Sequence, residues 1–335
     1  MKRRFLLPIF LLVLPVGARA ELEAAWKPRV IDLRVGLAHA MLRDPSLAKG
    51  VGQAGYVELQ RGGAIGVLLP LPEAEPGSGP KNTLSDYLTL RSALDSSQRF
   101  AIGDCRRRTG RIAVWFELEA PNELAQAPSA VPLWIERGVR VFRIGGERDN
   151  ELATVAAGTA HGPDTGLTRA GRDVVDRVLA AGGLVDVSGA SERSIDEVLE
   201  LAAKVHAPVI ATHSNARALA DRPRNLSDAS IRGIARSGGM IAVTAVRGSL
   251  AEGRPATLQH LVQQISYLVQ VAGSEHVALG TGFETGVGPV RDFLGAGDFP
   301  RLAVSLRSAG LSAPDVERVF YRNAQRILCP AQVAK

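Results

Sequence analysis

A glutamate and a histidine stand at the ends of two apolar runs, where they could ligate a divalent metal. Glu119 follows the run Ile112 to Leu118, and His213 ends the run Pro208 to His213. Carboxylate oxygens and imidazole nitrogens are common zinc ligands. A catalytic zinc needs about three protein ligands and an open position. The two side chains alone therefore fit either part of a metal site or a hydrogen-bonded structural pair.

Arg224 is a second candidate, in the segment Asp-Arg-Pro-Arg-Asn-Leu that ends at Leu226. Its guanidinium could bind an anion such as a carboxylate, or it could order its own loop by donating to backbone carbonyls. Ser188 and Ser214 lack a nearby pattern of His and Asp, so a serine hydrolase is a poor interpretation.

Short apolar runs separated by helix patterns must position these side chains. Eight such runs are predicted strands: Val30 to Leu33, Ala64 to Leu69, Ile112 to Leu118, Val139 to Ile144, Gly183 to Ser188, Pro208 to His213, Met240 to Ala245 and His276 to Thr281. They are apolar almost throughout, which is typical of parallel strands covered on both faces. Four helix patterns follow capping residues: Thr168, Ser191, Ser227 and Thr257.

Eight strands alternating with helices predict a (β/α)₈ barrel. An open doubly wound sheet is the alternative, but it usually has a Gly-rich turn after its first strand, and the segment after Val30 has none. In a barrel the carboxyl ends of the strands surround the active site, so Glu119 and His213 are expected to lie near each other.

Several blocks of this chain resemble the renal or membrane dipeptidase family of zinc metallopeptidases, which fold as (β/α)₈ barrels. The resemblance runs from Gly138 to Leu328, and its blocks are GLVDVSGASERSIDEVLELA, APVIATHSNARALADRPRNLSDASIRGIARSGGMIAV, HVALGTGFETG and VERVFYRNAQRIL. The stretch HSNAR followed by DRPRNLSD is the most specific. The amino-terminal half is similar more loosely, through VIDLRVGL and VWFELEAPNEL.

The resemblance implies a binuclear zinc site that cleaves dipeptides, and part of that site is retained. Glu119 matches the carboxylate that bridges the two metals, and His213 matches a zinc ligand. Arg224, with Asn225 beside it, matches the arginine that holds the substrate carboxylate.

Other family positions are replaced in this chain. Arg34 stands where the family has a histidine ligand, Gly36 where it has an aspartate ligand, and Gly189 where it has another histidine ligand. Gly282 stands where the family has its catalytic acid/base aspartate, and Gly146 where a histidine contacts the substrate. Three of the five metal ligands are therefore missing.

These replacements predict a catalytically degenerate dipeptidase homologue that binds no cofactor and takes a small peptide-like or carboxylate ligand. Without enough ligands a metal is not held tightly, and without it no hydroxide is activated at neutral pH. The alternative is an active metallodipeptidase with a rebuilt, mononuclear zinc site that uses Glu119, His213 and either Asp32 or Glu284. Family members often dimerise, so a homodimer is also expected.

Two structural expectations follow from the replaced positions. Arg34 places a fixed positive charge where a zinc ligand belongs, so we expect it to form a salt bridge with Glu119 in the emptied metal pocket. The glycines at 36, 189 and 282 are expected to leave a widened cavity.

The net charge of this chain is carried mostly by its first twenty residues. The chain has 40 Lys and Arg against 34 Asp and Glu, for a formal charge of +6, and residues 1–20 hold four of the basic residues and no acid. A basic start, an apolar run from Phe5 to Val16 and the small-x-small end at Ala20 predict a secretory signal peptide, with a single barrel domain over residues 21–335. An uncleaved membrane anchor is the alternative, although the apolar run is shorter than the roughly 20 residues that span a bilayer.

A near-neutral mature chain argues against nucleic-acid binding. No later stretch is long and apolar enough to span a membrane, so the mature protein is expected in the periplasm or the medium. The two cysteines, Cys105 and Cys329, fall at places that lie at the base of a barrel, and a disulfide between them is predicted.

Overall fold

The computed structural model describes residues 28–44, 52–71, 83–106, 110–146, 149–157, 162–251, 255–286 and 290–329. The predicted signal peptide and the start of the predicted domain, residues 1–27, lie outside the described residues.

In the described residues, nine strands form one parallel sheet that closes on itself. They are β1 (Val30–Asp32), β2 (Ala64–Leu71), β3 (Phe100–Ile102), β4 (Ile112–Glu119), β5 (Val139–Arg143), β6 (Leu184–Asp186), β7 (Val209–Ala211), β8 (Met240–Val243) and β9 (Val277–Leu279). The ring runs β1-β2-β4-β5-β6-β7-β8-β9 and returns to β1. The predicted (β/α)₈ barrel is confirmed.

The ninth strand, β3, lies outside the ring and was missed in the sequence. It pairs in parallel with the first three residues of β4, from Phe100 opposite Ile112 to Ile102 opposite Val114. A three-residue run is too short to give a periodic signal, and only its pairing with β4 makes it a strand.

Helices surround the barrel. They are α1 (Leu37–Arg43), α2 (Tyr56–Gly62), α3 (Thr83–Ser97), α4 (Asn122–Gln126), α5 (Val131–Glu136), α6 (Arg169–Ala180), α7 (Glu192–Lys204), α8 (Asp228–Arg236), α9 (Arg247–Leu250), α10 (Leu258–Ala272), α11 (Phe299–Ser308), α12 (Ala313–Glu317) and α13 (Asn323–Leu328). No helix of the described residues is long and apolar enough to cross a membrane.

The predicted helix starts at α6, α7, α8 and α10 are confirmed. The side chains of Thr168, Ser191 and Ser227 each accept a hydrogen bond from the backbone N–H three residues later. Thr257 forms a capping box with His260. These bonds satisfy backbone donors that a helix leaves unpaired in its first turn.

The last helices close the base of the barrel, at the amino ends of its strands. Tyr321, Ile327 and Leu328 pack with the inward-facing apolar side chains of the strands, such as Leu68 and Met240, in one buried cluster. The barrel therefore has a solid apolar interior below its polar mouth.

A disulfide joins Cys105, after β3, to Cys329, after α13, with 5.5 Å between the two Cα atoms. The predicted bridge is confirmed, and it ties the carboxyl-terminal helix to the base of the barrel.

Candidate ligand site at the carboxyl ends of the strands

Ionisable side chains at the ends of four strands converge at the mouth of the barrel. Glu117 and Glu119 come from the end of β4, Arg143 from the end of β5 and Asp186 from the end of β6. His213 follows β7 by two residues. All these strands run in parallel around one ring, so their carboxyl ends meet at one face.

The salt bridge expected between Arg34 and Glu119 is confirmed. The Nη2 of Arg34 contacts Oε1 of Glu119, and its Nη1 lies 2.9 Å from Oε2 of Glu117. Burial acts to lower the pKa of Arg34, but the carboxylates of Glu119 and Glu117 outweigh that effect and raise it. Arg34 is therefore a fixed cation inside the site.

Arg143 is a second cation on Glu119, and sequence reasoning missed it. Its Nη2 lies 3.0 Å from Oε1 of Glu119, and its Nη1 lies 3.4 Å from Nε2 of His213. Both the Arg143 and the Glu119 side chains are almost fully buried, with 3% and 4% of their surfaces exposed. The signal available in the sequence was an arginine as the last residue of a strand, which places it at the mouth of the barrel.

Glu119 is held ionised by its neighbours. Burial acts to raise its pKa, but Arg34, Arg143 and His39 lower it well below the usual range. The Nε2 of His39 lies 3.3 Å from the second carboxylate oxygen, Oε2. Both oxygens that would bridge two metals in the family therefore face nitrogen atoms of this chain.

His213 is engaged through both ring nitrogens. Its Nε2 lies 3.4 Å from Arg143 and 3.2 Å from Nη2 of Arg224. Because a guanidinium has no acceptor, Nε2 must accept, which assigns the ring proton to Nδ1. Nδ1 then donates to Oγ1 of Thr212 at 2.8 Å, and that hydroxyl donates to Asp186 at 2.5 Å.

This environment keeps His213 neutral. Burial lowers its pKa well below the ordinary value, and the cations Arg34, Arg143 and Arg224 lower it further. The neutral ring is the form that binds zinc, but here its Nε2 lone pair is directed at two guanidiniums.

The structure brings Arg224 into the site and places Asn225 elsewhere. The guanidinium of Arg224 also packs on Gly189, where an added Cβ would lie 3.4 Å from its Nε and Nη2 atoms. Asn225 is fully buried, and its amide donates to the backbone oxygens of Ala220 and Ser249 at 2.8 and 2.9 Å. Its contacts show that it orders loops next to the site.

Among the described residues, the space beside each of the three glycines is occupied by neighbouring atoms, whereas the expected widening of the cavity stays a prediction. A Cβ on Gly36 would lie 2.5 Å from the backbone oxygen of Glu284, and a Cβ on Gly282 would lie 2.7 Å from Val246. At Gly189, Arg224 occupies the space. Neighbouring backbone and side chains have closed over these positions, so the lost ligands cannot be restored by substitution alone.

Asp32 and Glu284, the other ligands considered for a rebuilt zinc site, accept hydrogen bonds from neighbouring residues of the chain. Asp32 accepts hydrogen bonds from Thr281 and from the backbone N–H of Arg34. Burial raises the pKa of Asp32 to about 7, although these hydrogen bonds act in the opposite direction. The Oε1 of Glu284 accepts from the backbone N–H of Ala54 at 3.1 Å.

The donor set therefore does not fit the zinc that the family resemblance implies. Over the part of the chain that the structure describes, no three His, Cys, Asp or Glu side chains are grouped so as to hold a metal. The guanidinium of Arg143 lies between Glu119 and His213, at 3.0 Å from Oε1 of Glu119 and 3.4 Å from Nε2 of His213. A metal ion at this point would meet two guanidinium charges.

The mouth of the barrel holds three guanidiniums around Glu119 and His213. Burial raises the pKa of Glu117 well above its ordinary value, and the neighbouring Asp186 raises it further. The guanidinium of Arg34 acts in the opposite direction but does not outweigh these two effects. Arg34, Arg143 and Arg224 are cations throughout the physiological range. Such a site has the electrostatics to hold an anion.

Comparison with known proteins places the chain beside dipeptidases. The family described as membrane dipeptidase, peptidase family M19, matches residues 95–335. A protein of Klebsiella pneumoniae described as "Uncharacterized protein in pqqA 5'region" is 38% identical over 173 residues, which cover 50% of this chain and 62% of that protein. The chain spans between 43% and 62% of the length of the curated relatives that it matches.

Solved structures share the fold. One is described as dipeptidase AC, a metallopeptidase of family M19; it has a TM-score of 0.78 and 21% identity, and the match covers 90% of this chain and 98% of that one. Another is a metallopeptidase from Rhodobacter sphaeroides bound to a phosphinate mimic of the dipeptide L-Ala-D-Ala. It has a TM-score of 0.77 and 20% identity, over 90% of this chain and 99% of that one. At this identity the likeness shows the barrel alone.

Proposed function

Because this chain belongs to the membrane dipeptidase family, peptidase family M19, we propose that it is a dipeptidase-like protein that has lost zinc-dependent hydrolysis and binds a small carboxylate or peptide-like ligand. One observation carries the proposal. Glu119, which matches the family's metal-bridging carboxylate, is ion-paired with both Arg34 and Arg143.

The loss of hydrolysis follows from the charge and from the missing acid/base. A zinc ion lowers the pKa of its bound water so that hydroxide forms near neutral pH, and tight binding needs several neutral or anionic ligands. Here two guanidiniums neutralise Glu119, and the Nε2 of His213 accepts from Arg143 and Arg224. Gly282 has no side chain to move a proton.

Arg224 is the residue that would bind the carboxylate of the ligand. A guanidinium presents two parallel N–H groups that match the two oxygens of a carboxylate. Arg224 lies partly exposed at the mouth, beside Gly189, and it adds a third cation to the two on Glu119. A peptide-like molecule with a free carboxylate suits this charge and this exposure.

Metal content and turnover of the purified protein test the loss of hydrolysis. The protein is incubated with excess zinc, desalted and assayed for bound metal by mass spectrometry, then offered a panel of dipeptides beside an active family member. We expect no stoichiometric zinc and no turnover above a buffer blank. Stoichiometric zinc with turnover would show an active enzyme with a rebuilt mononuclear site, and would overturn the proposal.

Calorimetric titration with the same dipeptides and with free amino acids tests the binding. The variant Arg224→Met is expected to bind at least about tenfold more weakly, because it removes a charged hydrogen-bond donor worth roughly 1.5–3 kcal/mol. Arg247→Met is the matched control, since Arg247 is an exposed arginine at the same end of the barrel, at the start of α9. Equal affinities of the two variants would exclude Arg224 as the ligand-binding residue.

We also propose that residues 1–20 direct export, so that the mature protein works in the periplasm or the medium. The basic and apolar pattern of these residues supports export, and so does the Cys105–Cys329 disulfide, because such bridges persist mainly in oxidising compartments. Amino-terminal sequencing of protein from fractionated cells tests this; an intact Met1 start in the cytoplasm would contradict it.

A further inference from the structure

The base of the barrel, at the amino ends of its strands, is rich in arginine. Nine arginines lie near the starts of β1 to β5, at the end of α2 or on the carboxyl-terminal helices; they are Arg29, Arg61, Arg99, Arg106, Arg111, Arg137, Arg140, Arg322 and Arg326. Five carboxylates lie among them: Glu58, Asp104, Glu136, Glu275 and Glu317. These fourteen residues, which we call the basal face, have a net charge of +4. Arg318 and Asp315 close by pair with each other and add no net charge.

The positive charge is continuous over the basal face. Two open hollows there have volumes of about 630 and 840 Å³, and together their linings include seven of the nine arginines. Among the described residues that line them, none is an aspartate or a glutamate. The guanidinium of Arg29, from the first hollow, stacks 4.2 Å from the ring centre of Tyr321, which lines the second. The two hollows therefore adjoin each other.

Aromatic rings and backbone oxygens hold several of these guanidiniums. Arg29 donates to the hydroxyl of Tyr321 at 3.2 Å, and the guanidinium of Arg137 lies 5.0 Å from the ring centre of Trp134. Arg140 donates to a backbone oxygen at 3.0 Å. Rings and carbonyls carry no formal charge, so the positive charge of these arginines is not neutralised. Side chains that are already ordered also lose less conformational entropy when they bind a partner.

The basal face presents its charge to solvent. Five of the nine arginine side chains are exposed and four are half-buried. Arg61 pairs with Glu58 at 2.7 Å and Arg322 pairs with Glu317 at 2.8 Å, yet 63% and 58% of these two arginine side chains remain exposed. Exposed ion pairs contribute little free energy, so a phosphate group can replace the carboxylate at small cost.

The remainder of the chain after residue 20 is slightly acidic. Residues 21–335 have a net charge of +2. Because the basal face alone has a net charge of +4, the other residues of this range have a net charge of −2. An anionic surface therefore attracts the basal face and repels the rest of the protein, which favours one orientation of binding.

We propose that the basal face docks on the surface of a bilayer that contains anionic phospholipids, with the mouth of the barrel facing away from the lipid. Headgroup phosphates accept hydrogen bonds from the guanidiniums. The arginines are spread over the starts of five strands and the last helix, an arrangement that suits a plane of many headgroups better than one small anion. The binding is peripheral and electrostatic, so it weakens as salt screens the charges.

Co-sedimentation with lipid vesicles tests this docking. The purified protein, with the amino terminus that cells leave on it, is mixed with vesicles of phosphatidylglycerol and phosphatidylcholine, or of phosphatidylcholine alone. We expect binding to the anionic vesicles at low salt, no binding to the neutral vesicles, and release at about 1 M salt, where the Debye length is about 3 Å. Equal binding to both kinds of vesicle would overturn the proposal, and so would no binding to the anionic ones.

Removing charge from the basal face locates the docking surface. The triple variant Arg61→Gln, Arg106→Gln and Arg322→Gln replaces three exposed side chains. We expect it to bind the anionic vesicles at least about tenfold more weakly, because each cation near an anionic leaflet strengthens binding severalfold. Unchanged binding would overturn the proposal.

A matched control removes the same number of charges elsewhere. The triple variant Arg172→Gln, Arg193→Gln and Arg232→Gln replaces exposed arginines on α6, α7 and α8, away from the basal face. We expect its affinity for the anionic vesicles to stay within about twofold of the parent. All variants carry the same amino terminus, so residues 1–20 contribute equally to each. Equal losses in the two triple variants would show that binding depends only on total charge, which contradicts the proposed orientation.

A second pair of variants adds charge instead, in case the basal triple variant does not fold. Val57→Glu with Gln60→Glu places two carboxylates at exposed positions of the first hollow and keeps every arginine. We expect at least about fivefold weaker binding to the anionic vesicles. Leu219→Glu with Leu294→Glu is the control, at exposed leucines in loops after β7 and β9, and should stay within about twofold. Equal effects of the two pairs would count against docking through the base.

Soluble polyanions distinguish a bilayer from other partners of a basic face. At equal concentrations of negative charge and the same salt, we expect heparin and duplex DNA to bind more weakly than the anionic vesicles. Tighter binding of either would assign the basal face to a soluble polyanion and overturn the proposal. The basal variants should bind dipeptides as the parent does, so this result is independent of Arg224 and of the ligand at the mouth.

Discussion

The variant Glu119→Gln tests whether the ion pairs between Glu119 and the arginines at the mouth stabilise the folded barrel. Glu119 is 4% exposed and receives contacts from Arg34 and Arg143, at 3.0 Å in the second case. A hydrogen bond to a charged group contributes roughly 1.5–3 kcal/mol, and breaking a buried pair by removing one partner costs about 3–5 kcal/mol. Glutamine keeps one acceptor oxygen, but it removes the carboxylate that Arg143 contacts and one of the two carboxylates that contact Arg34. We therefore expect a loss of about 3–5 kcal/mol in the free energy of unfolding.

Urea unfolding followed by circular dichroism gives that free energy from the midpoint, provided that the denaturant slope is unchanged. Glu123→Gln is the matched control, because Glu123 is an exposed glutamate four residues later on α4; it is expected to change stability by less than about 0.5 kcal/mol. Equal stabilities of the Glu119 and Glu123 variants would refute the reasoning.

A double variant measures how much Arg34 and Glu119 stabilise each other, apart from their contacts with other residues. Arg34→Met combined with Glu119→Gln removes a cation and an anion together, so one guanidinium fewer is left uncompensated. We expect the double variant to lose less stability than the sum of the two single variants, with a coupling of about 0.5–3 kcal/mol. Strict additivity would mean that Arg34 and Glu119 do not stabilise each other.

Three further predictions concern the core, the backbone and the base. The raised folded-state pKa of Asp32, about 7, means that the folded chain binds more protons than the unfolded chain between about pH 4 and 7. Stability should therefore fall as the pH rises through that window, and in Asp32→Asn the fall between pH 5 and 7 should be smaller by about 2 kcal/mol; an identical pH slope in the two proteins would count against the shift. Gly36→Ala should destabilise by about 1–3 kcal/mol because its Cβ meets backbone at 2.5 Å, whereas Gly248→Ala, with open space around it, should be neutral or stabilising in the same urea titration. Replacing Cys105 and Cys329 by serine should cost about 2–5 kcal/mol, because the bridge closes a long loop with a sequence separation of 224; unchanged thermal unfolding would contradict that estimate.

The fold could be predicted from the sequence because the patterns that specify its strands and helices are local. Apolar runs such as Met240 to Val243 and capping residues such as Ser227 specify strands and helix starts through periodicity and side-chain hydrogen bonds within a few residues. Their alternation leaves few topologies, and the barrel is one of them. The strand β3 was not predicted because its apolar run, Phe100 to Ile102, is shorter than the runs of four to seven residues that predicted the other strands.

The replaced positions of the candidate site were likewise visible in the sequence. Arg34 and Gly189 indicate the loss of two metal ligands because they stand where the family has histidines. Arg34 also carries a charge that needs a partner when it is buried. Its pairing with Glu119 follows from that requirement.

Only the tertiary structure shows which residues now contact the positions of the missing metal ligands. Arg143 comes from a different strand than Glu119, and Arg224 reaches Gly189 from another loop, so nothing local in the sequence relates them. In the sequence, the glycines at 36 and 282 suggest open space because they have no side chain. In the folded chain, the backbone of Glu284 lies against Gly36 and the side chain of Val246 lies against Gly282. The sequence determines which charged groups and which side-chain volumes are present. The tertiary structure determines which of them come into contact, because electrostatic pairing and close packing act over short distances between segments that are far apart in the chain.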